Sequence, residues 1–166
     1  VNNNFEILYQ YNKQKLVPFG EFLPFENLLN KFGLKKITQG HESFSRGAKH
    51  ENFSIDKTNI LPLICYEIIF PELIQKANDG TNLIVNISED GWFGNTIGPH
   101  QHFAKAIFRS IESDTFLVRS ANKGITAIIG NKGQIYKKLN FNETGNIEMN
   151  IPLLTAKFKN KNDLIF

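Results

Sequence analysis

The stretch that most constrains this chain is an apolar run over residues 59–66. The run is apolar on both faces, as in a strand that is buried within a sheet. Near its end stands Cys65, the only cysteine of the chain, and Pro71 then suits the first turn of a helix. The sequence therefore predicts a strand-to-helix junction. Such a junction holds a thiol on rigid backbone at the rim of a sheet, where a substrate can reach it.

Strand patterns alternate with helix patterns early in the chain, and hairpin strands follow later. We predict strands over residues 5–11, 53–55, 59–66, 82–87, 116–120, 124–130, 134–136 and 147–151, and helices over 71–77 and from Pro24 and Pro99. The Asn-Lys-Gly stretch at 131–133 is a good hairpin turn. This order predicts an α/β fold, a layered sandwich on a mixed sheet, as one domain over residues 1–166.

Two loops are rich in residues that can shape a site. The loop over residues 16–24 holds two prolines and a glycine, which make it stiff, so we expect Glu21 to be held in position. The loop over residues 88–99 follows a buried strand and contains three glycines and the only tryptophan, Trp92. Residues 40–49 are predicted to form a polar surface loop. The apolar stripe of the helix after Pro99 is predicted to be core packing: Phe103, Ile107, Phe108 and Ile111.

Composition excludes several classes of function. With 166 residues, 41% of them hydrophobic and 21% charged, the chain can build one domain with a real core and is not disordered. A formal charge of +3, with scattered lysines, is too small to indicate a nucleic-acid partner. One cysteine excludes an internal disulfide and a cysteine-rich zinc site. No apolar run reaches the ~18 residues that are needed to span a bilayer.

The Cys65 thiol needs helpers if it is to react, because the nucleophile is the thiolate and a nearby cation favours that form. Judged alone, a cysteine in an apolar strand is more often an inert small hydrophobe. The usual helper is histidine, but none of His41, His50, His100 and His102 has an obvious Asn or Asp to orient it. The last two fall on different faces of a helix, which suits a metal poorly. A Cys–His dyad is disfavoured, and we expect no metal and no other cofactor.

Six blocks of sequence stand in a specific order. They are Y-N-K at 11–13, L-V-P-F-G-E at 16–21, C-Y-E at 65–67, N-I-S-E-D-G-W-F-G at 86–94, G-P-H-Q-H at 98–102 and R-S-A-N-K-G-I-T at 119–126. Together they resemble the nitrilase-type (carbon–nitrogen hydrolase) domain of the apolipoprotein N-acyltransferase family, over nearly the whole chain. The second block and W-F-G-x-x-x-G-P look particular to the acyltransferase branch. The resemblance implies a nitrilase-like α-β-β-α sandwich.

The resemblance also implies four catalytic residues. Cys65 would be the nucleophile, which takes an acyl chain from a phospholipid as a thioester. Lys13 would stabilise the oxyanion of each tetrahedral intermediate, and its charge would favour the thiolate. Glu21 and Glu67 match further active-site glutamates of the family, which would hold Lys13 and shape the site.

Two aromatic residues, Tyr66 and Trp92, match family positions near the lipid and acceptor pocket. The resemblance implies that the acceptor is the α-amine of the lipidated N-terminal cysteine of a bacterial apolipoprotein. The two half-reactions would be ping-pong, because they share one thioester. The reaction would take place at the periplasmic side of the bacterial inner membrane.

The chain departs from the family pattern in three places. The family's general-base glutamate lies well upstream of the lysine, and Glu6 cannot replace it, because it stands on the strand predicted just before Lys13. The family's transmembrane helices, which precede and follow this domain, have no counterpart. We therefore expect a piece of a longer protein that is inactive alone and leaves an apolar sheet edge exposed. Glu89 stands where we expect an amide side chain in relatives.

Simpler explanations remain open for these residues. Lys13 can be a solvated surface lysine, Glu67 a helix N-terminal charge, Glu21 a turn cap and Trp92 a core residue. Two other functions also remain open. One is a thiol amidase of the same superfamily, which uses water in place of the amine. The other is a non-catalytic chain that only folds or binds a partner.

Overall fold

The computed structural model describes residues 6–25, 44–48, 51–75 and 80–154. Its centre is a six-stranded sheet in which neighbouring strands follow the order of the chain. The strands are β1 (Phe53–Ile55), β2 (Thr58–Ile64), β3 (Leu83–Glu89), β4 (Phe116–Asn122), β5 (Thr126–Ile129) and β6 (Ile135–Leu139). The α-helices are α1 (Pro71–Gln75) and α2 (Gly98–Ser113), and short 3₁₀ helices cover Cys65–Ile69 and Gly91–Phe93. The predicted α/β fold on a mixed sheet is confirmed.

The three central strands, β2, β3 and β4, run parallel, whereas β1, β5 and β6 pair antiparallel with their neighbours. Parallel neighbours need a crossover connection, and α1 and α2 lie in the two crossovers. The carboxyl ends of the three parallel strands therefore meet at one edge of the sheet. Ligands of open α/β sheets usually bind outside this edge. It carries the ends of β2, β3 and β4, at Ile64, Glu89 and Asn122.

The core lies between one face of the sheet and the helices. Its buried apolar side chains come from the strands, from α1, α2 and the first 3₁₀ helix, and from the turn before β5: Leu61, Leu63, Ile68, Leu73, Ile74, Ile84, Phe103, Ala106, Leu117, Ile125, Ala127 and Ile129. Burying one leucine side chain in this way contributes about 1.5–3 kcal/mol. Side chains alternate across a strand, so the opposite face of β3 presents Ile87, which is 60% exposed. None of the helices in the described ranges is long and apolar enough to cross a bilayer.

Two predicted strands are wrong. Residues 6–11 alternate like a strand but join no sheet; instead, the Tyr9 ring stacks on Phe53 at 4.9 Å. Residues 147–151 also lie outside the sheet. There the ammonium of Lys137 on β6 donates to the Glu148 carbonyl at 2.5 Å, a side-chain contact in place of a strand ladder.

The helix predicted from Pro24 does not begin there, since Pro24 and Phe25 form a turn in which Phe25 is 82% exposed. Residues 26–43, 49–50 and 76–79 lie outside the described residues, and with them most of that helix, part of the polar loop and the end of the helix over 71–77.

Several element boundaries also move. β2 ends before Cys65, β3 extends through Ser88 and Glu89, and the hairpin strands β5 and β6 begin later than predicted. In α2, Phe103 is a core residue as predicted, but Phe108 is 52% exposed and is not. The Lys105 ammonium lies 6.0 Å from the Phe108 ring centre, on the outer side of the helix.

Candidate active site

Cys65 sits in a strained turn directly after β2. Its φ is +53°, in the left-handed region that side chains other than glycine rarely adopt. The turn ends the strand and starts the 3₁₀ helix, so the thiol leaves the line of the strand at the carboxyl edge. Its Sγ lies 3.8 Å from the Glu89 carbonyl oxygen at the end of β3. Such strain concentrates at functional sites, and this geometry presents a half-buried thiol at the rim.

Glu67 is fully buried and joins two segments of the chain that are far apart in sequence. Its Oε1 accepts hydrogen bonds from the backbone N–H groups of Gln14 and Lys15, at 2.6 and 3.1 Å. Its Oε2 accepts one from the N–H of Ile64 at 2.8 Å, the residue before the thiol. The Tyr11 hydroxyl donates to the same carboxylate at 3.0 Å. Burial and the charge of Glu67 raise the pKa of Tyr11, which keeps this phenol a neutral donor.

Lys13 lies within the segment that Glu67 binds. Its Nζ lies 2.6 Å from Glu21 Oε1, and the two side chains are only 10% and 23% exposed. The other oxygen of Glu21 accepts the N–H of Val17 at 3.0 Å, which fixes the carboxylate on the stiff loop, as predicted. The Gly47 N–H donates to the Lys13 carbonyl at 2.8 Å. A Cβ at Gly47 would lie 2.1 Å from the Asn12 carbonyl oxygen, so only glycine permits this approach.

The loop after β3 forms one side of the rim. Its carboxylate, Glu89, accepts hydrogen bonds from the Gly91 N–H at 2.7 Å and from the Asn122 amide at 2.6 Å. Trp92 is 62% exposed and is not a core residue. Beside this loop lie two hollows of about 240 and 430 Å³ that share Lys123 and Asn142. Neither hollow is lined by Cys65 or Lys13.

Tyr66, the second predicted aromatic contact, follows the thiol in the chain. It is partly buried, and its ring meets the edge of Phe70 with ring centres 5.3 Å apart.

Sequence reasoning missed a buried polar cluster behind this rim. The expectation that no histidine has an acidic orienter is wrong for His102, whose Nδ1 lies 2.9 Å from Asp90 Oδ1. The other Asp90 oxygen lies 2.6 Å from Arg119 Nη2, and the Ser88 hydroxyl donates to Oδ1 at 2.6 Å. Burial alone would raise the pKa of Asp90, but the hydrogen bond from His102 and the charge of Arg119 outweigh it, so that pKa is lowered.

The signal for this cluster was present in the sequence, as polar residues at alternate positions of an apolar strand, Asn86 and Ser88, and as Arg119 inside another. Among the other histidines, His100 is exposed, and His41 and His50 lie outside the described residues. In the part of the chain that the structure describes, no three His, Cys, Asp or Glu side chains lie close enough together to hold a metal ion.

The structure connects the four predicted catalytic residues through two carboxylates, Glu21 and Glu67. Lys13 is held by Glu21, and Glu67 binds both the backbone that follows Lys13 and the backbone that precedes Cys65. One carboxylate thus links the segment that carries the Lys13 ammonium to the turn that carries the Cys65 sulfur. A thiol and an ammonium that reach the same carbonyl group suit attack on its carbon, with charge stabilisation of the resulting oxyanion.

Comparison with known proteins identifies the family of the chain. The carbon–nitrogen hydrolase family model matches residues 1–159. An apolipoprotein N-acyltransferase of Rhizobium leguminosarum bv. trifolii is 41% identical over 88% of this chain and 28% of that protein. One from Rhodopseudomonas palustris is 39% identical over 94% of this chain and 29% of that protein. The chain therefore spans less than a third of the length of these relatives.

Solved structures share the fold. An amidase from Nesterenkonia sp. AN1, in which acrylamide has added to the active-site cysteine, matches with a TM-score of 0.56 at 19% identity, over 82% of this chain and 49% of its own. A carbon–nitrogen hydrolase from Helicobacter pylori G27 matches with a TM-score of 0.52 at 14% identity, over 61% and 43%. The α/β fold of the described residues is that of nitrilase-superfamily enzymes, and the chain belongs to the carbon–nitrogen hydrolase family.

Proposed function

We propose that this chain carries the catalytic residues of an apolipoprotein N-acyltransferase. The acyl donor is a phospholipid, and the acceptor is the α-amine of the lipidated N-terminal cysteine of a bacterial apolipoprotein, at the periplasmic side of the inner membrane. The single observation that carries the proposal is the shared carboxylate of Glu67, which binds the backbone beside Lys13 and the backbone beside Cys65. The identity of 36–41% to enzymes of that name supports the same activity.

In the first half-reaction the Cys65 sulfur attacks the ester carbonyl of the phospholipid. The carbonyl oxygen becomes an oxyanion, which the Lys13 ammonium stabilises by a charge-assisted hydrogen bond. The intermediate collapses when the C–O bond breaks, and the lysophospholipid leaves as an alcohol, with the proton that the Cys65 thiol has given up accounting for the one that the alcohol gains. The product is a thioester on Cys65.

In the second half-reaction the acceptor amine attacks the thioester carbonyl at the same site. The C–S bond breaks, the sulfur leaves as a thiolate, the amine nitrogen loses a proton, and an amide remains. A base has to take that proton. We assign no residue of this chain to that role, because Glu21 and Glu67 are engaged with Lys13 and with backbone donors.

The choice of an amine over water as acceptor depends on the loops. The L-V-P-F-G-E loop holds Lys13 through Glu21, and the loop after β3 carries the exposed indole of Trp92 and lines one open hollow with Gly91, Gly94 and Asn95. Exposed aromatic surface of this kind suits a lipidated acceptor, since it can pack against acyl chains. A thiol amidase is the second candidate, and the fold alone is compatible with it.

The experiment is to trap the thioester. The complete product of the gene is incubated in detergent with a phospholipid that carries a labelled acyl chain. The mass of the peptide that contains Cys65 is then measured by mass spectrometry, before and after treatment with hydroxylamine. We expect a hydroxylamine-sensitive acyl adduct that Cys65→Ala abolishes and Lys13→Ala reduces roughly 10²–10³-fold. Lys132→Ala is the matched control, because its ammonium pairs with Asp114 instead.

A lipidated cysteine peptide is then added. Transfer of the label to the peptide amine supports the proposal. Release of free fatty acid at the same rate with and without the peptide would point to the hydrolase. The absence of any adduct would leave only a non-catalytic chain.

A further inference from the structure

The buried cluster around Arg119 has no part in the chemistry described so far. Arg119 is fully buried. Its Nη2 donates to Asp90 Oδ2 at 2.6 Å, its Nε donates to the Ile125 carbonyl at 3.3 Å, and its Nη1 donates to the Asn86 side-chain oxygen. A guanidinium in water-free surroundings keeps its charge and acts over a longer distance than an exposed one.

The strand register places Arg119 in a row two residues before the level of the thiol. Leu63, Asn86 and Arg119 form one row across the three parallel strands, and the Asn86 amide donates to the Leu63 carbonyl at 3.0 Å. Cys65 follows Leu63 toward the carboxyl edge of the sheet. The Arg119 side chain extends in that direction, since it reaches Asp90, the residue after β3 ends. The carbonyl that Sγ contacts belongs to the residue just before Asp90.

Asp90 limits the positive charge that reaches the sulfur. Its carboxylate is fully buried and pairs with Arg119, so the two charges partly cancel. Gly124 is required for this pairing, because a Cβ there would lie 2.3 Å from Asp90 Oδ2. Burial lowers the pKa of Arg119, and the charge and hydrogen bond of Asp90 oppose that shift.

Other titratable groups act on the same two centres. They are Asp90 after β3, His102 and Arg109 on α2, Glu89 on β3, Glu67 on the 3₁₀ helix, and Lys13 and Glu21 on the segment that Glu67 binds. His102 bridges the pair, since its Nδ1 lies 2.9 Å from Asp90 and 3.2 Å from Arg119 Nη2. Within the described residues its Nε2 is buried without a partner.

We propose that Arg119 is a positioning residue that acts through Cys65: its buried charge favours the thiolate, and Asp90 sets how much of that charge the sulfur experiences. Arg119 therefore assists Lys13, and its action does not depend on the substrate. The inference rests on the proposed function only in taking Cys65 as the nucleophile.

The test is the pH dependence of Cys65 alkylation by iodoacetamide, which needs no acyl donor. The complete gene product is used, and the rate is read on the peptide with Cys65. We expect Arg119→Gln to raise the pH midpoint of alkylation and Asp90→Asn to lower it, each by about one unit. The double variant, which removes both charges, returns the midpoint to near its original value. A purely structural role would shift both midpoints in the same direction or leave both unchanged, and either result overturns the proposal.

Two further variants guard against loss of the fold. Arg119→Lys keeps the cation, so it should leave the midpoint near that of the parent even if it slows refolding. Should Arg119→Gln fail to fold, Arg119→Lys and Asp90→Asn decide the question, because only Asp90→Asn should then lower the midpoint. Asp114→Asn at the far end of α2 breaks the exposed pair with Lys132 and should shift nothing. Failure of the acylation assay with these opposite shifts intact would reject the proposed function alone.

Discussion

Cys65 occupies a left-handed backbone conformation. For any residue that has a Cβ, this conformation lowers the stability of the folded state. The turn is held from outside, by the Glu67 carboxylate on the Ile64 N–H and by the strand before it. The surrounding structure thus maintains the strained turn, which turns the thiol away from the line of β2. A residue chosen for stability alone would be glycine.

This strain predicts a difference between two substitutions at Cys65. Both Cys65→Gly and Cys65→Ala remove the sulfur and should abolish acyl labelling. Cys65→Gly should be more stable than Cys65→Ala by about 1 kcal/mol, because glycine adopts positive φ without a penalty. Urea unfolding of the two variants measures the difference. Equal stability, or a more stable alanine variant, would show that the turn is unstrained.

Glu67 gives a second prediction at the residue scale. Its two oxygens accept hydrogen bonds from three backbone N–H groups and one phenol. In Glu67→Gln an NH₂ group replaces one oxygen, and it cannot accept a hydrogen bond from these donors. We expect the free energy of unfolding to fall by about 3 kcal/mol. Glu148→Gln, an exposed glutamate, is the control and should leave the urea midpoint in place. An unchanged midpoint for Glu67→Gln would mean that the two segments do not depend on this carboxylate.

At the scale of the element, the loop over residues 16–24 behaves as its prolines and glycine predict, with Leu16 and Leu23 buried and Glu21 fixed at both oxygens. The segment before it does not. Residues 6–11 alternate like a strand, but local alternation cannot reveal whether a partner strand has a free edge. Here the aromatic side chains of Tyr9 and Tyr11 are used for contacts to Phe53 and Glu67.

A substitution at Glu21 tests whether the loop affects the rate of Cys65 acylation without affecting the stability of the fold. In Glu21→Gln the neutral amide no longer pairs with the Lys13 ammonium but can still accept from Val17. We expect Cys65 acylation to slow roughly 10²-fold, because the ammonium is no longer held at the oxyanion position, with little change in the unfolding midpoint. Glu72→Gln, which breaks the half-exposed pair with Lys15, should leave the rate unaltered. An equal loss of rate in both variants would contradict a specific role for the loop.

At the scale of the whole molecule, the parallel strands bring distant parts of the sequence to one edge. The hydrophobic runs and the hairpin turn made most of the sheet predictable. Polar residues within the strands could have indicated a buried cluster, but the pairing of Asp90 with His102 and Arg119 depends on the register of β3 against β4 and on where β3 ends. The candidate catalytic residues came from their resemblance to a family. Their spacing along the chain did not indicate that Glu67 would link the segments of Lys13 and Cys65.

The buried cluster makes the stability of the molecule depend on pH. The pKa of Asp90 is lowered in the folded state, so on acidification the unfolded chain binds this proton at a higher pH than the native one. Its contribution is present above the unfolded pKa of about 3.9 and is lost as the pH falls through the folded value. Asp90→Asn should therefore weaken the pH dependence of the free energy of unfolding between about pH 3 and 5, the range around the unfolded pKa. Urea unfolding at several pH values measures this dependence. Asp56→Asn, in an exposed turn, should keep the parent's slope.

The central claim is that the Lys13 ammonium and the Cys65 sulfur act on one carbonyl group. The most direct measurement is a crystal structure of the complete gene product trapped as the acyl thioester at Cys65. The account predicts Lys13 Nζ at about 2.7–3.1 Å from the thioester carbonyl oxygen, with Glu21 still bound to the same ammonium. A carbonyl oxygen that faces away from Lys13, with other donors in its place, would contradict the account.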